Sequence, residues 1–394
     1  MTSDTSPPGS NGEQVRIIRE WADFEAIAGD WEALHASARG SLFSSFEWLA
    51  AQSAAFAQEG ELHVVSIWRN GRLVAAAPLR RVRRQFTKHL PIYNPETFVY
   101  FSCGYTGFFD LLAEDRAAGQ KLIETVANSA RGHVVDLETM PRSAITDALC
   151  NKLQERGFRL TRAERFESVI IDGESSYDSY IASRKSSFRK SIRKADRALK
   201  DQDAKFELLD ARDPTVVSRC FKISQKSWKD KAGVGIAARN DHRSFVARIT
   251  SPESAPTTAA AGIISLPAGD IAFALFLIRN GVAHGLWTEF DEAFQETSPG
   301  KMAILLTVKE LMSHRSIQRF DFVRRTHFTY PFNDDVYGVD RILAYPRVGI
   351  ANVLQSGLDL SRKMIGIRGK GRRKSVRRKD VVDRDSEESD NSVT

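Results

Sequence analysis

Apolar and polar positions along this 394-residue chain follow two periods, and the order in which those periods occur is repeated. Trp21, Phe24, Ala28, Trp31 and Leu34 recur at helical spacing, and Phe46 to Ala57 is a second amphipathic stretch behind serines suited to an N-cap. Leu62 to Trp68 and Leu73 to Val82 read as two strands around Asn70-Gly71, a dipeptide that tolerates the positive φ a type I′ turn needs at both central positions. An aromatic, glycine-broken stretch, Phe98 to Phe109, leads to a helix over Ala117 to Ala130 and a strand over Val134 to Glu138. A helix from Ile145 to Arg156 stops at Gly157, and a strand at Ser168 to Ile171 closes this half.

The order then returns. Lys205 to Leu209 is a strand, Thr215 to Lys229 and Asn240 to Ile249 are helices, and Ala259 to Leu266, Ile271 to Ile278 and Val282 to Glu289 form a second meander, turning at Asn280-Gly281. A polar connection, Asp291 to Pro299, enters a helix over Lys301 to His314, followed by a strand at Phe320 to Val323, an irregular aromatic stretch at Phe328 to Gly338, a strand at Arg341 to Pro346 and a helix at Val348 to Met364. Two Asn-Gly hairpins, each followed by a helix and an Asp-bearing strand (Asp136-Leu137 and Asp321-Phe322), predict a duplicated α/β domain with mixed, mostly antiparallel sheets flanked by helices. The expected organisation is a disordered start at 1–14, domains at 15–171 and 204–364, a linker at 172–203 and a disordered tail at 365–394.

Composition narrows the class. A chain of this length with 42% hydrophobic residues can bury a core in each half. Cys103, Cys150 and Cys220 lie far apart without histidines at ligand spacing, which argues for reduced thiols, against a metal site, and for a cytoplasmic location. No signal-peptide core and no apolar run of about 18 residues are found, so neither secretion nor a membrane span is expected. The net charge of +7 is concentrated late: from Arg362 onward eleven Lys or Arg face six Asp or Glu. That tail is expected to stay solvated, and its charge suits anionic lipid or nucleic acid. A second basic cluster is internal. Arg184, Lys185, Arg189, Lys190, Arg193, Lys194, Arg197 and Lys200 surround Phe188, Ile192, Ala195 and Leu199, whose spacing of four, three and four makes one helix face apolar. Read plainly, this is a surface helix with cations lying over apolar surface. Read functionally, it is a platform for phosphates or an acidic sugar, with Arg189 and Arg193 among the contacts.

Ser298-Pro299-Gly300 opens a helix at Lys301. A helix N-terminus carries about half a positive charge and several free N–H groups, proline there leaves no donor unmet, and glycine allows close backbone approach, so these four residues form a candidate pyrophosphate site. The preceding strand could offer backbone groups to an extended pantetheine-like arm. The same turn is equally an ordinary helix start. Acyl transfer from a thioester needs a deprotonated nucleophile and a proton for the leaving thiolate, for which Asp291, Glu289, Asp321 and His327 are candidate bases and Tyr330 a candidate acid. Each also has a structural reading, as a strand-end cap, a loop histidine or a core tyrosine. His284 and Trp287, earlier on the Glu289 strand, read as packing residues. A Ser-His-Asp hydrolase is disfavoured, because no Gly-x-Ser-x-Gly elbow occurs.

Ser227-Trp228-Lys229 with Gly233, the second meander, Asp291 and Phe294 ahead of Ser298-Pro299-Gly300, and then Asp321-Phe322, stand in an order that resembles the GNAT-type acetyltransferases associated with bacterial cellulose and exopolysaccharide biosynthesis, relatives of the Fem-type peptidyl transferases. The resemblance spans roughly residues 15 to 350 and includes the basic helix. It implies two tandem GNAT-like domains and an acyl-CoA donor, acetyl-CoA foremost, bound mainly by the second domain without a metal. It also implies Trp228 and Lys229 near the substrate, and transfer to an amine or hydroxyl of a small-molecule or glycan acceptor, a sugar-linked or cell-envelope precursor. One departure affects the chemistry: such proteins usually carry a glycine-containing turn and a Tyr-Lys pair after the Asp-Phe pair, whereas Val323 to Phe332 has Tyr330 and no lysine. The competing reading is a catalytically silent module that binds an anionic polysaccharide or nucleic acid.

Overall fold

The computed structural model describes residues 12–347 except 57–59, 86–93, 102–106, 254–256, 315, 327 and 334. The helix expected at Val348 to Met364 and the basic tail lie outside the described residues. The first half runs β1 (Glu13–Ile18), α1 (Trp21–Ala26), α2 (Ala28–Ser37), α3 (Phe46–Ala55), β2 (Glu61–Arg69), β3 (Arg72–Arg83), β4 (Glu96–Tyr100), β5 (Leu112–Ala113), α4 (Arg116–Ser129), β6 (Val134–Pro141), α5 (Ala144–Glu155) and β7 (Phe158–Asp172). The second runs α6 (Tyr177–Ser183), α7 (Ser186–Lys200), β8 (Lys205–Asp210), α8 (Pro214–Ser224), α9 (Trp228–Lys231), α10 (Asn240–Ile249), β9 (Thr258–Leu266), β10 (Gly269–Arg279), β11 (Val282–Phe290), α11 (Pro299–Met312), β12 (Arg319–Asp321) and β13 (Val336–Pro346). Helix starts follow the chain's polar signals: Ser45, Asp115, Ser143 and Asp213 each accept a first-turn N–H with the side chain. The strand β1 was not anticipated, because its half-exposed residues alternate too weakly to stand out from the polar start.

The strands form one sheet in the order β1-β2-β3-β4-β6-β13-β7-β12-β11-β10-β9-β8, with β5 on β3. The order reads alike from both ends, so β1 to β4 and β6 correspond to β8 to β11 and β12. The halves exchange their last strands: β7 pairs with β12, β13 pairs with β6, and β7 and β13 pair with each other, all antiparallel. In each half the fourth and fifth strands are parallel and pair only briefly, at Thr97–Val134 and Phe98–Val135 in one, and at Val282–Arg319, Ala283–Phe320 and His284–Asp321 in the other. Both pairs then separate.

This register corrects the argument for duplication while leaving its conclusion in place. Asn70 and Asn280, with φ of 53° and 50°, and their following glycines do form tight hairpin turns. But Asn70-Gly71 joins the second and third strands of its half, whereas Asn280-Gly281 joins the third and fourth. The two turns are therefore not equivalent. The repeat is carried instead by strand order and by the aspartates where each parallel pair ends, Asp321 as the last paired residue of β12 and Asp136 directly after the last paired residue of β6.

Two apolar layers sandwich the second half of the sheet. On one face α7 and α11 pack through Phe188, Ile192, Met302 and Leu305 onto Phe276, Phe320 and Phe322. On the other, α8 and α10 share a core with α3 of the first half, where Trp48 meets Phe245 edge-on at 4.9 Å between ring centres and Phe273, Leu275 and Trp287 lie beneath. The aromatic content of this layer fixes the two halves against each other.

Candidate active site

The strands β11 and β12 separate immediately after His284 and Asp321, which are register partners and so neighbours on one face of the sheet. Asp321 is buried, and its carboxylate accepts from the Ser168 hydroxyl at 2.5 Å, the Val323 N–H at 2.7 Å and the Tyr337 hydroxyl at 2.7 Å. Burial, then the neighbouring Asp321 charge, pushes the Tyr337 phenol well above its usual range. Val323, whose N–H is held by Asp321, has φ of 61°. That conformation is strained for a β-branched residue and persists only when its surroundings hold it. His284 is also buried, and its Nδ1 has no hydrogen-bond partner among the described residues. Burial lowers its pKa, opposed by the Asp321 charge. Aromatic rings of both halves surround the group: Phe43 lies 5.4 Å from the His284 ring and 5.0 Å from Phe108, which lies 5.5 Å from Tyr337.

From this apex β11 continues with one flank open. Its register with β10 jumps at Leu286, since Leu275 faces Trp287 and Phe276 faces Gly285, which is a β-bulge. Beyond it the Asp291 N–H bonds the Ile271 carbonyl at 2.8 Å, so strand alternation turns the N–H and C=O of Thr288 away from β10, toward the side β12 has left. The Lys229 ammonium donates to that Thr288 carbonyl at 3.1 Å. Burial holds the Lys229 pKa below the usual lysine value, against the Glu289 charge that raises it.

The flank ends at the start of α11. Ser298 is left-handed (φ 52°, ψ 47°), makes no side-chain cap, and no acidic residue occupies the first turn. Pro299 has no N–H, and the first intrahelical bond is from Met302 N to Ser298 O at 3.2 Å, so the N–H groups of Gly300 and Lys301 lie in the turn that has no intrahelical acceptor. Burial lowers the Lys301 pKa. The glycine has a packing reason that spacing alone did not reveal: a Cβ at Gly300 would lie 2.9 Å from Phe290 Cδ1, and the Gly300 carbonyl already accepts from the Thr288 hydroxyl at 3.3 Å.

Other candidates are engaged elsewhere. Asp291 caps the 3₁₀ turn Glu292–Thr297 by accepting from Ala293 N at 3.0 Å and pairs with Lys226 at 3.4 Å. It lies seven residues from His284, roughly 20 Å along a strand, so Asp291 and Asp321 cannot act on one proton. Tyr330 is half exposed, with the Arg325 guanidinium 4.4 Å and the Lys185 ammonium 5.9 Å from its ring, and does not meet Asp321. His327 lies outside the described residues. Glu289 is buried and accepts from Ser224, Ser227 and the Ile236 N–H at 2.8 to 2.9 Å, which fastens the loop after α8 to β11. Arg189 donates to the Ala182 and Arg184 carbonyls at 2.6 and 2.8 Å and so closes the end of α6, whereas Arg193 is exposed and Trp228 half exposed. Cys150 and Cys220 are buried free thiols, the latter pushed by burial up to about 12, far from a reactive thiolate. Among the described residues no group of His, Cys, Asp and Glu could hold a metal ion, and no helix is long and apolar enough to cross a membrane.

Residues 186–333 match the family model described as an acetyltransferase (GNAT) domain. These residues form a GNAT acetyltransferase domain. The whole chain resembles in fold the crystal structure of FemX (12% identity, TM-score 0.53, covering 81% of this chain and 96% of that one). It also resembles the C-terminal domain of a putative lysylphosphatidylglycerol synthetase from Agrobacterium fabrum (11% identity, TM-score 0.51, covering 86% and 96%). No curated protein matches the sequence. The tandem α/β architecture expected from the sequence is thus the observed one, and the GNAT domain holds the β11–β12 separation and the α11 start within its matched residues.

Comparison of the two halves separates structure from chemistry. In the first, Asp136 occupies the position of Asp321 and is sealed by Arg341 of β13 in two hydrogen bonds of 2.8 and 2.7 Å. Arg341 lies two residues from the register partner of Asp136, as Ser168 lies two residues from the partner of Asp321. An arginine that neutralises one aspartate is therefore replaced by a serine at the other, and Val99 of β4 stands where the GNAT domain has His284. Ser168 and Tyr337 were missed in the sequence because both reach Asp321 only through the exchanged strands, a long-range pairing that no local pattern encodes.

Proposed function

We propose that the GNAT domain transfers an acyl group from coenzyme A, acetyl-CoA foremost, to an amine or hydroxyl of a sugar-linked cell-envelope or exopolysaccharide precursor. GNAT domains generally use acyl-CoA, and one observation supports this donor here: the open flank of β11 connects the uncapped start of α11 to the His284–Asp321 apex. Thr288 touches Gly300, and His284 lies four residues away, roughly 10 to 13 Å along the strand. Donor phosphates would take the Gly300 and Lys301 N–H groups, with Lys301 beside them, and an extended pantetheine arm would run along the flank past Thr288 toward His284. The exposed cations Lys190, Arg193, Lys194 and Arg197 of α7, which packs against α11, would add attraction for the anionic donor. The acceptor class is what the resemblance carried by Ser227-Trp228-Lys229, Ser298-Pro299-Gly300 and Asp321-Phe322 implies, and the half-exposed Trp228 offers a sugar ring a surface to lie on.

Calorimetric titration with acetyl-CoA tests the reading. Wild-type protein should bind, and Lys301→Glu, which places a carboxylate at the phosphates, should weaken binding at least about tenfold with unchanged circular dichroism. A wild-type protein that does not bind acetyl-CoA leaves the silent carbohydrate- or nucleic-acid-binding module as the better account.

A further inference from the structure

We infer that His284 is the group that takes the acceptor's proton, with the fixed charge of Asp321 beside it; this rests on the acyl-CoA reading above. Four observations converge on His284. It is the last β11 residue paired with β12, so it stands where the sheet opens. Its side chain is buried with Nδ1 unpartnered, a deficit that ordinary packing removes, since a leucine or phenylalanine would fill the same apolar corner without the cost of a bare polar atom. The adjoining chain is strained at Val323, and that strain is held by Asp321 itself. The matching corner of the first half has a valine in place of the histidine and an ion pair in place of the Asp321 hydroxyl bonds.

Asp321 is poorly placed to be the base. Both its oxygens are taken, by Ser168 and Val323 on one and by Tyr337 on the other. Those three donors occupy the carboxylate where an incoming proton would have to bind. A fixed negative charge beside His284 favours the imidazolium formed as the proton arrives. Arg319, which also lies on β12, acts in the opposite sense. The sheet face matters as well. His284, Asp321 and Tyr337 lie with Phe43 and Phe108 on the face away from α11, so a donor arm anchored at α11 would present its thioester through the opening while the acceptor approaches from the aromatic side, between the halves.

The step balances without any other reagent. The acceptor oxygen or nitrogen forms a bond to the acyl carbon as its proton passes to His284. The carbon–sulfur bond of the thioester breaks with its electron pair on sulfur, and the proton then passes from His284 to the thiolate, which leaves as the free thiol.

The test uses the full chain, acetyl-CoA as donor, and release of free thiol as readout, with water as acceptor in one series and glucosamine added in a second. His284→Gln and His284→Leu should bind acetyl-CoA with wild-type affinity by calorimetry and lose about 10²- to 10⁴-fold in thiol release. His284→Leu should melt at the same temperature as wild type or higher, an outcome that a packing or hydrogen-bonding role for the histidine does not give; if that variant fails to fold, His284→Gln carries the kinetic arm. Thiol release within about threefold of wild type in either variant overturns the inference. So does a wild type that binds acetyl-CoA but releases no thiol above background in either series. Failure of the wild type to bind acetyl-CoA is the distinct result that removes the donor reading, and the inference with it.

Discussion

The junction between the halves contains a buried ionic cluster whose pH response can be worked out. Arg279, at the end of β10, is almost wholly buried and donates to Glu47 Oε2 at 3.0 Å, to Thr257 at 3.1 Å, to Glu32, and toward His35 Nδ1 at 3.2 Å. Two carboxylates thus share one guanidinium, and among the described residues Glu47 Oε1 is buried without a hydrogen-bond partner. Burial first, then the Glu32 charge, raises the Glu47 pKa from 4.5 to about 7 against the pull of Arg279. A raised carboxylate stabilises the fold below its unfolded pKa, and that contribution is lost as pH rises toward the folded value. The window here is pH 4.5 to about 7, and at 1.36 kcal/mol per unit the ceiling is about 3 kcal/mol. His35 acts in the opposite sense: burial and Arg279 lower its pKa, so its contribution grows as pH rises toward 6.5. Comparison of wild type with Glu47→Gln isolates Glu47, because the amide keeps an oxygen for Arg279 and removes the charge. Urea unfolding between pH 4.5 and 8 should show the variant gaining on wild type by about 2 to 3 kcal/mol and levelling off above pH 7. A difference that stays constant within about 0.5 kcal/mol, or that grows toward acid, refutes the assignment.

Three further outcomes follow from named contacts. Gly300→Ala should cost about 1 to 3 kcal/mol in urea unfolding through the collision with Phe290, and Gly300→Asp should cost more, so neither reports donor binding cleanly, whereas Lys301→Glu does. Changing Lys190, Arg193, Lys194 and Arg197 together to Gln should weaken acetyl-CoA binding at low salt more than at high salt in calorimetry, while Arg189→Gln should lower the melting temperature through the lost caps on Ala182 and Arg184. Arg341→Leu should destabilise the chain by about 1 to 3 kcal/mol by leaving buried Asp136 with Arg84 alone, 4.0 Å away, with acetyl-CoA affinity unchanged by calorimetry.

What the sequence made legible depended on distance along the chain. Strands, helices and caps are specified within a few residues, and the meanders, the α11 start and the basic face of α7 appear where periodicity and capping residues place them. Register among distant strands is not specified that way. The Asn-Gly turns looked like equivalent points of a repeat because both satisfy the same local rule of positive φ, yet they fall one strand apart. The exchange of β7 and β13 is decided by which edge each half leaves open, and nothing within either strand announces it.

The same limit applies to the candidate site. Asp321 on its strand and the Pro-Gly start of α11 are local features, visible in the sequence as candidates. Tyr330 is the candidate acid in sequence because it stands where the resembled family carries a Tyr-Lys pair, but the hydroxyl that reaches Asp321 belongs to Tyr337, returned by an exchanged strand, with Ser168 arriving from the other half. His284 was read as packing because a histidine on an apolar strand usually is. Only the parting of β11 from β12 and an unpartnered Nδ1 set it apart. The exchange also gives, on the proposed reading, a reason for the chain to keep two domains. β7 of the first half supplies Ser168 to Asp321, and Phe43 and Phe108 line the His284 corner, so the first half forms one wall of the candidate site while its own matching corner is closed by Asp136 and Arg341.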